Sequence, residues 1–377
     1  MSKSRNRKSK TEVAYDDIWT YAPLNAAQIR RRKKLLSDEI RQVRIGRKTT
    51  AADLVADMSG MSIQARNLGQ CAEVLTNLYN DKRRPTVMLG LAGPLIAAGL
   101  RRVIRDLVVG GYVDVVVSTG AILYQDIYQA RGHRHYRGTP NADDPTLRDL
   151  YIDRIYDTYV DEEKFLDTDV WCGRIADELE AGNYSSRAYL DFVGSKLTDT
   201  ESIVYQCHRL GVPMFSPALN DSSIGIGLTE HRHRCKRDGK AGIAIDSIRD
   251  NYELTQITVQ SGATAAIYVA GGVPKNYIND SVVMGYIFGI NRGHDYAVQV
   301  TTAVVQDGGL SGSTLGEARS WGKIKKKADF AMAWVEPSVS LPLLAAYIFN
   351  RHPAPARPRL KLTWDGDILK SLKRKRS

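Results

Sequence analysis

The chain has 377 residues and a formal charge of +11, which is length enough for one large α/β domain or two smaller ones. Five cations without an acid in the first ten residues, and five more in the last nine, leave only +1 for everything between, so a body-wide basic nucleic-acid surface is excluded. No apolar run is long enough to span a bilayer, no signal-peptide core follows the start, and four cysteines without CxxC spacing suit reduced thiols; together these predict a cytoplasmic protein.

Residues 1–45 form a polar extension with a helix expected over Ala26–Arg44, on which Arg30–Lys34 reads as an exposed face. From Pro85 onward, short apolar runs alternate with amphipathic segments. Thr86–Ala92 reads as a buried strand and Pro94–Val109 as a helix, with proline in its first turn and Gly110-Gly111 beyond its end. Tyr112–Thr119 is a second strand, and a helix follows over Ala121–Ala130. Leu147–Leu210 reads as mostly helical, and VPMFSPAL leads into a loop over Asn220–Leu228. Further strands are expected at Gly242–Ser247, Ala265–Ala270 and Tyr296–Thr302, followed by Met332–Glu336 and a helix over Leu341–Asn350.

Near-continuous apolar strands alternating with helices predict an α/β fold: a mostly parallel sheet with helices on both faces, spanning 46–352 as one domain. Pro353, Pro355 and Pro358 then open a basic tail, 353–377, expected to be disordered. RNA, an acidic protein or a partner subunit are the partners the two tails suit.

Ligands on such sheets gather at the carboxyl ends of the strands. Four loops there carry small or polar residues: Ala92-Gly93-Pro94, Ser118-Thr119-Gly120-Ala121, Ala270-Gly271-Gly272-Val273 and Thr301-Thr302. Each alone reads as an ordinary turn. Four on one edge make a nucleotide-sized ligand plausible, although none matches G-x-G-x-x-G. Asp221, in SPALNDSSIGIG, reads either as a ribose or amine ligand or as the cap of a turn or helix.

The segment Ser311–Lys327, SGSTLGEARSWGKIKKK, sets Lys323 beside Trp321 and Gly322, with Glu317 six residues upstream. It is not a P-loop: five residues separate Gly316 from Gly322, and Ile324 follows the lysine. A lysine becomes nucleophilic on losing its proton, which burial or cationic neighbours promote; Lys325, Lys326 and Lys327 are the neighbours the sequence offers. His231, His233 and Cys235 stand at i, i+2 and i+4, but the intervening arginines favour a basic surface loop over a metal site. No metal is expected.

With these residues assembled, the chain resembles the deoxyhypusine synthases from about Pro85 to Asn350. The motifs are GLAGPLIAAGLRRVIRDLV, DVVVSTGA, FSPALNDSSIG, AGGVPKN, DYAVQVTTA and EARSWGKI. The resemblance implies a Rossmann-like fold that binds NAD, a homotetramer with active sites at subunit interfaces, and transfer of spermidine's aminobutyl group to a protein lysine. Lys323 is then the amine that forms an imine, Trp321 packs on the polyamine, Glu317 binds an amine, and Asn276 and Asp280 complete the substrate set. Gly93, Thr119, Asp221, Gly271, Gly272 and Thr302 match positions around NAD, and Glu336 stands where the family has an aspartate. Gln125 replaces a glutamate, Asn276 a histidine and Gln299 a tyrosine, while Ile226 and Leu310 replace two amine-binding acids. Each lost contact is worth roughly 1.5–3 kcal/mol, so the polyamine half is altered and the cofactor half retained. Two alternatives stand beside the transferase: a homospermidine synthase with putrescine as acceptor, and a non-catalytic NAD-binding scaffold.

Overall fold

The computed structural model describes residues 23–353 and 357–374. The tail cations of residues 1–10 and Lys375 and Arg376 lie outside them. The chain divides into Met1–Arg41 and Gln42–Ser377. In the first unit a helix runs over Ala26–Leu35, started by a reciprocal capping box between Asn25 and Gln28. It buries no residue and ends nine residues before the expected Arg44, where Ser37 Oγ donates to Lys34 O at 2.8 Å. Without an apolar face to dock, nothing extends it further.

The second unit is built on six parallel strands: β1 (Thr86–Leu91), β2 (Val115–Ser118), β3 (Met214–Phe215), β4 (Thr264–Val269), β5 (His294–Val300) and β6 (Ile324–Ala333). Their order is β6-β5-β4-β1-β2-β3. Met88 of β1 pairs with Val115 on one side and Ala266 on the other, so β1 is central, and all six of its residues are buried. This is the doubly wound order of dinucleotide-binding folds, in which the chain leaves β1 in one direction and β4 in the other. The carboxyl ends of β1 and β4 therefore flank a crevice at the point of reversal.

The helices that matter for the site are α1 (Arg101–Val109), α2 (Gly120–Ala130), α3 (Ser223–Arg237), α4 (Gly272–Ile287), α5 (Leu315–Ser320) and α6 (Pro337–Arg351). Helix α1 begins seven residues later than the sequence suggests. Residues 95–99 are turns, and Gly99 at φ +85° breaks any helical entry. The stretch Leu147–Leu210 is mostly helical as expected, with helices over Glu162–Ala176, Ser186–Ser195 and Ile203–Leu210, but Ile152–Ile155 and Thr158–Asp161 within it also pair with Tyr136–Arg137 in a small antiparallel sheet. The loop expected over Asn220–Leu228 is shorter too, because α3 starts at Ser223. Among the described residues no helix is long and apolar enough to cross a membrane.

The expectation of a disordered tail is corrected. Leu360–Asp365 (β7) and Ile368–Arg374 (β8) form an antiparallel hairpin, turned by Gly366 at φ +60°. Alternation supplies the reason: Leu360 and Leu369 are buried, and Trp364 stacks under the Arg187 guanidinium at 4.1 Å. Gln256 and Gln260, on the helix Ser247–Gln260, hold the backbone of Asp367 and Leu369. Just before the hairpin, Arg357 joins Arg84 on the buried Asp114 carboxylate, at 2.7 and 2.6 Å. These contacts fasten the hairpin to the body.

Candidate active site

The crevice edge is made chiefly of backbone. After β1, Gly93 is exposed at φ +88°. After β2, Thr119 precedes α2 and caps it with no side-chain bond, while Gly120 packs so closely on Ser222 that a Cβ would overlap it. After β4, Ala270 and Gly272 both take φ +63°, and a Cβ on Gly271 would stand 2.5 Å from Ser311 Cα. Helix α4 also lacks a side-chain cap. Two uncapped helix starts direct free N–H groups to the same edge, which suits the phosphates of a dinucleotide.

Asp221 is exposed and makes no side-chain hydrogen bond among the described residues; Ser222 performs the capping of α3 instead. The carboxylate is thereby open to solvent. Thr302 is exposed after β5. Glu336 is committed locally: it caps α6, accepting from Ser338 N at 2.8 Å and from Ser338 Oγ. Gln125 is buried and accepts from Ala97 N at 3.1 Å, bracing the loop after β1. Gln299 is fully buried; its Nε2 donates to Ala270 O and Ser311 O at 2.8 and 2.9 Å, and its Oε1 has no partner among the described residues. The glycine turn at Gly271–Gly272, where a Cβ on Gly271 would overlap Ser311, lets a ligand approach the backbone between the two uncapped helix starts. The residues present fit a dinucleotide.

The second group is made of side chains. Lys323 Nζ lies 3.2 Å from Asp280 Oδ1 and 3.2 Å from Asn276 Oδ1, and 5.7 Å from the centre of the Trp321 ring. Asn276 Nδ2 in turn donates to Asp280 Oδ2 at 2.8 Å, fixing the carboxylate. The i, i+4 spacing of Asn276 and Asp280 on α4 puts both on one face, beginning one turn inside the helix that opens at the crevice.

The backbone of the lysine is pinned as well. Gly322 turns at φ +70°, Lys323 N donates to Ala318 O at 3.1 Å, and Lys323 O accepts from His294 N at 3.0 Å. Trp321 is 65% exposed, so its face is open and does not enclose the lysine. Glu317 is exposed on α5, whose start Thr314 caps. Ile226 and Leu310 are exposed too and bring no charge.

The cationic neighbour of Lys323 is not one of the three lysines after it. Lys325 pairs with Asp295 at 2.8 Å, and Lys326 and Lys327 are exposed. It is Lys275, only 1% exposed, whose ammonium is pushed down to about 8 by burial, with Glu317 opposing and Lys323 adding to the shift. Sequence reasoning missed it, because burial of one residue in VPKN cannot be read from spacing.

The histidine cluster is also relocated. His231 lies on α3, not in a surface loop, and is buried. Its Nδ1 meets Asp177 Oδ1 at 2.7 Å and its Nε2 accepts from Ile243 N at 3.2 Å. Cys235 Sγ stands 3.8 and 3.7 Å from the two ring nitrogens. Asp177, His231 and Cys235 are thus close, but the Ile243 N–H already occupies the lone pair an ion would need.

Comparison with known proteins identifies the family. A deoxyhypusine synthase family model matches residues 53–348. A deoxyhypusine synthase-like protein of Chlorobaculum parvum is 41% identical over 318 residues, covering 82% of this chain and 89% of that relative. One from Coxiella burnetii is 39% identical over 327 residues, covering 85% and 91%. A solved Entamoeba histolytica structure assigned to deoxyhypusine synthase aligns with a TM-score of 0.56 at 18% identity, over 83% of this chain and 97% of that one. That last likeness concerns the fold.

Proposed function

The chain belongs to the deoxyhypusine synthase family, and from that premise we propose that it is an NAD-dependent transferase, moving an aminobutyl group from spermidine or a related amine to an acceptor amine through an imine on Lys323. The observation that carries this reading is the Lys323 amine, held between Asp280 and Asn276 one helical turn from the crevice. NAD in the crevice would take a hydride from the carbon beside the donor's secondary amine and return it at the end, leaving no net oxidation.

The residues of the chain account for the rest. Asp280 is within reach to accept a proton from the Lys323 ammonium and return one to a departing amine. Once neutral, Lys323 attacks the electrophilic carbon, its new C–N bond replacing the bond to the first amine. The acceptor amine then attacks the same carbon and releases Lys323. Asn276 keeps the carboxylate and the amine aligned. The open face of Trp321 offers attraction to an ammonium, and Glu317 a charge for a further one. Asp221, Gly93, Thr119, Gly271, Gly272 and Thr302 line the cofactor crevice, with Glu336 at its margin. Residues beyond one chain complete the site if the protein assembles as a homotetramer, which sedimentation would reveal.

The test is label transfer. With NAD present, label from the butyl carbons of spermidine should appear in an acceptor. Its appearance in a lysine-bearing protein supports deoxyhypusine-type transfer, and its appearance in putrescine a homospermidine synthase. Label that stays in spermidine with every acceptor contradicts the transferase and leaves an NAD-binding scaffold.

A further inference from the structure

Lys275 is among the largest fully buried side chains of the protein, and among the described residues it has no ion-pair partner. Its ammonium is satisfied instead by three neutral oxygens of one loop: Leu310 O at 3.2 Å, Ser313 O at 2.5 Å and Ser313 Oγ at 3.0 Å. Three donors meet three acceptors, a match that only the protonated amine can make. Burying a charge without a counter-charge is costly, and a methionine of similar length would fill the same space without that cost.

The place of this lysine gives the cost a purpose. It stands next to Asn276, which holds Lys323. The loop it grips, Gly308–Ser313, leads directly into α5, which carries Glu317 and ends at Trp321. The same loop rests on the crevice: Ser311 packs against Gly271, and Gln299 ties Ser311 O to Ala270 O.

We propose that Lys275 is a positioning residue that clamps the glycine-rich loop Gly308–Ser313 to the start of α4, and thereby sets Glu317 and Trp321 against Lys323. Its effect on chemistry rests on the transferase reading, whereas the clamp does not. The charged groups whose fields reach Lys275 are Glu317, from α5, and Lys323.

The experiment compares the full-length protein with Lys275→Met, which keeps length without donors, and Ser313→Ala, which removes one acceptor and keeps the ammonium. Hydrogen exchange followed by mass spectrometry should show residues 308–320 exchanging at least about tenfold faster in Lys275→Met, with β1 and β4 unchanged. Ser313→Ala should give a smaller acceleration. The rate at which borohydride traps a polyamine adduct on Lys323 should fall about 10- to 100-fold in Lys275→Met, with the apparent KM for the amine within about threefold. In the wild type that rate should decline as pH rises through about 8, where the ammonium is lost, and this limb should be missing from Lys275→Met. Unchanged exchange over 308–320 overturns the clamp, as does faster exchange spread evenly over the chain. An adduct formed at the wild-type rate in Lys275→Met overturns the positioning role. No adduct in the wild type defeats the transferase reading, while exchange still decides the clamp.

Discussion

The two halves of the site are built from different materials. The crevice is made of backbone: turns at Gly93 and at Ala270–Gly272, and the uncapped starts of α2 and α4. The amine site is made of side chains: Lys323, Asp280, Asn276 and Trp321, with Lys275 behind them. A backbone site depends on conformations that few residues permit, so on the proposed reading it should tolerate exchanges such as Gln125, Gln299 and Glu336 around it. A side-chain site changes its preference whenever one charged group is gained or lost. On the proposed transferase reading, Ile226 and Leu310 stand where the resemblance implies two acids, whereas Asp280 places a charge directly on the lysine.

The comparison can be broken most sharply at its centre. Lys323→Ala should abolish transfer, by about 10³-fold or more, with cofactor affinity within about threefold; a parallel loss of cofactor binding would show that the halves are not separable. Gly271→Ala should do the reverse. Its Cβ would meet the Ser311 backbone at 2.5 Å, so cofactor affinity should fall about 100-fold in a binding titration, with up to about 3 kcal/mol of stability lost to overpacking.

Lys275 lies where the halves meet and yields a pH signature. Its folded value of about 8 is below the 10.5 of an exposed lysine, so between those values the unfolded chain binds more protons and stability rises with pH. Relative to Lys275→Met, the wild type should gain about 2–3 kcal/mol between pH 7.5 and pH 10.5 in chemical denaturation. A flat difference would mean the ammonium is not buried.

Asp280→Asn keeps the shape of the amine site and removes its base. Turnover should fall about 30-fold with the cofactor affinity unchanged, read by steady-state kinetics at fixed NAD. Ile226→Asp should restore part of a polyamine grip and lower KM for spermidine by about tenfold at low salt, an effect that shrinks as salt rises. No change would place residue 226 away from the amine.

Much of the crevice was legible because its signals are local. The buried strands β1, β2 and β4 announce themselves as apolar runs, and glycines after strands mark the ligand edge. The strand order, which locates the crevice between β1 and β4, rests on contacts between residues far apart and has no local signature. The hairpin of β7 and β8 was hidden by composition: lysines and prolines suggested disorder, although Leu360, Leu362 and Trp364 alternate and Gly366-Asp367 is a turn signal. In the amine site, Lys323 and Trp321 stood out by motif. The burial of Lys275 and the local commitment of Glu336 to Ser338 depend on the segments that fold over them.

The most direct measurement is the mass of the peptide containing Lys323 after the protein is incubated with NAD and spermidine and quenched with borohydride. A covalent role for Lys323 predicts an added aminobutyl group on that residue, dependent on NAD and absent from Lys323→Ala. An unmodified Lys323 in the wild type, or the same mass gained on another lysine, would contradict it.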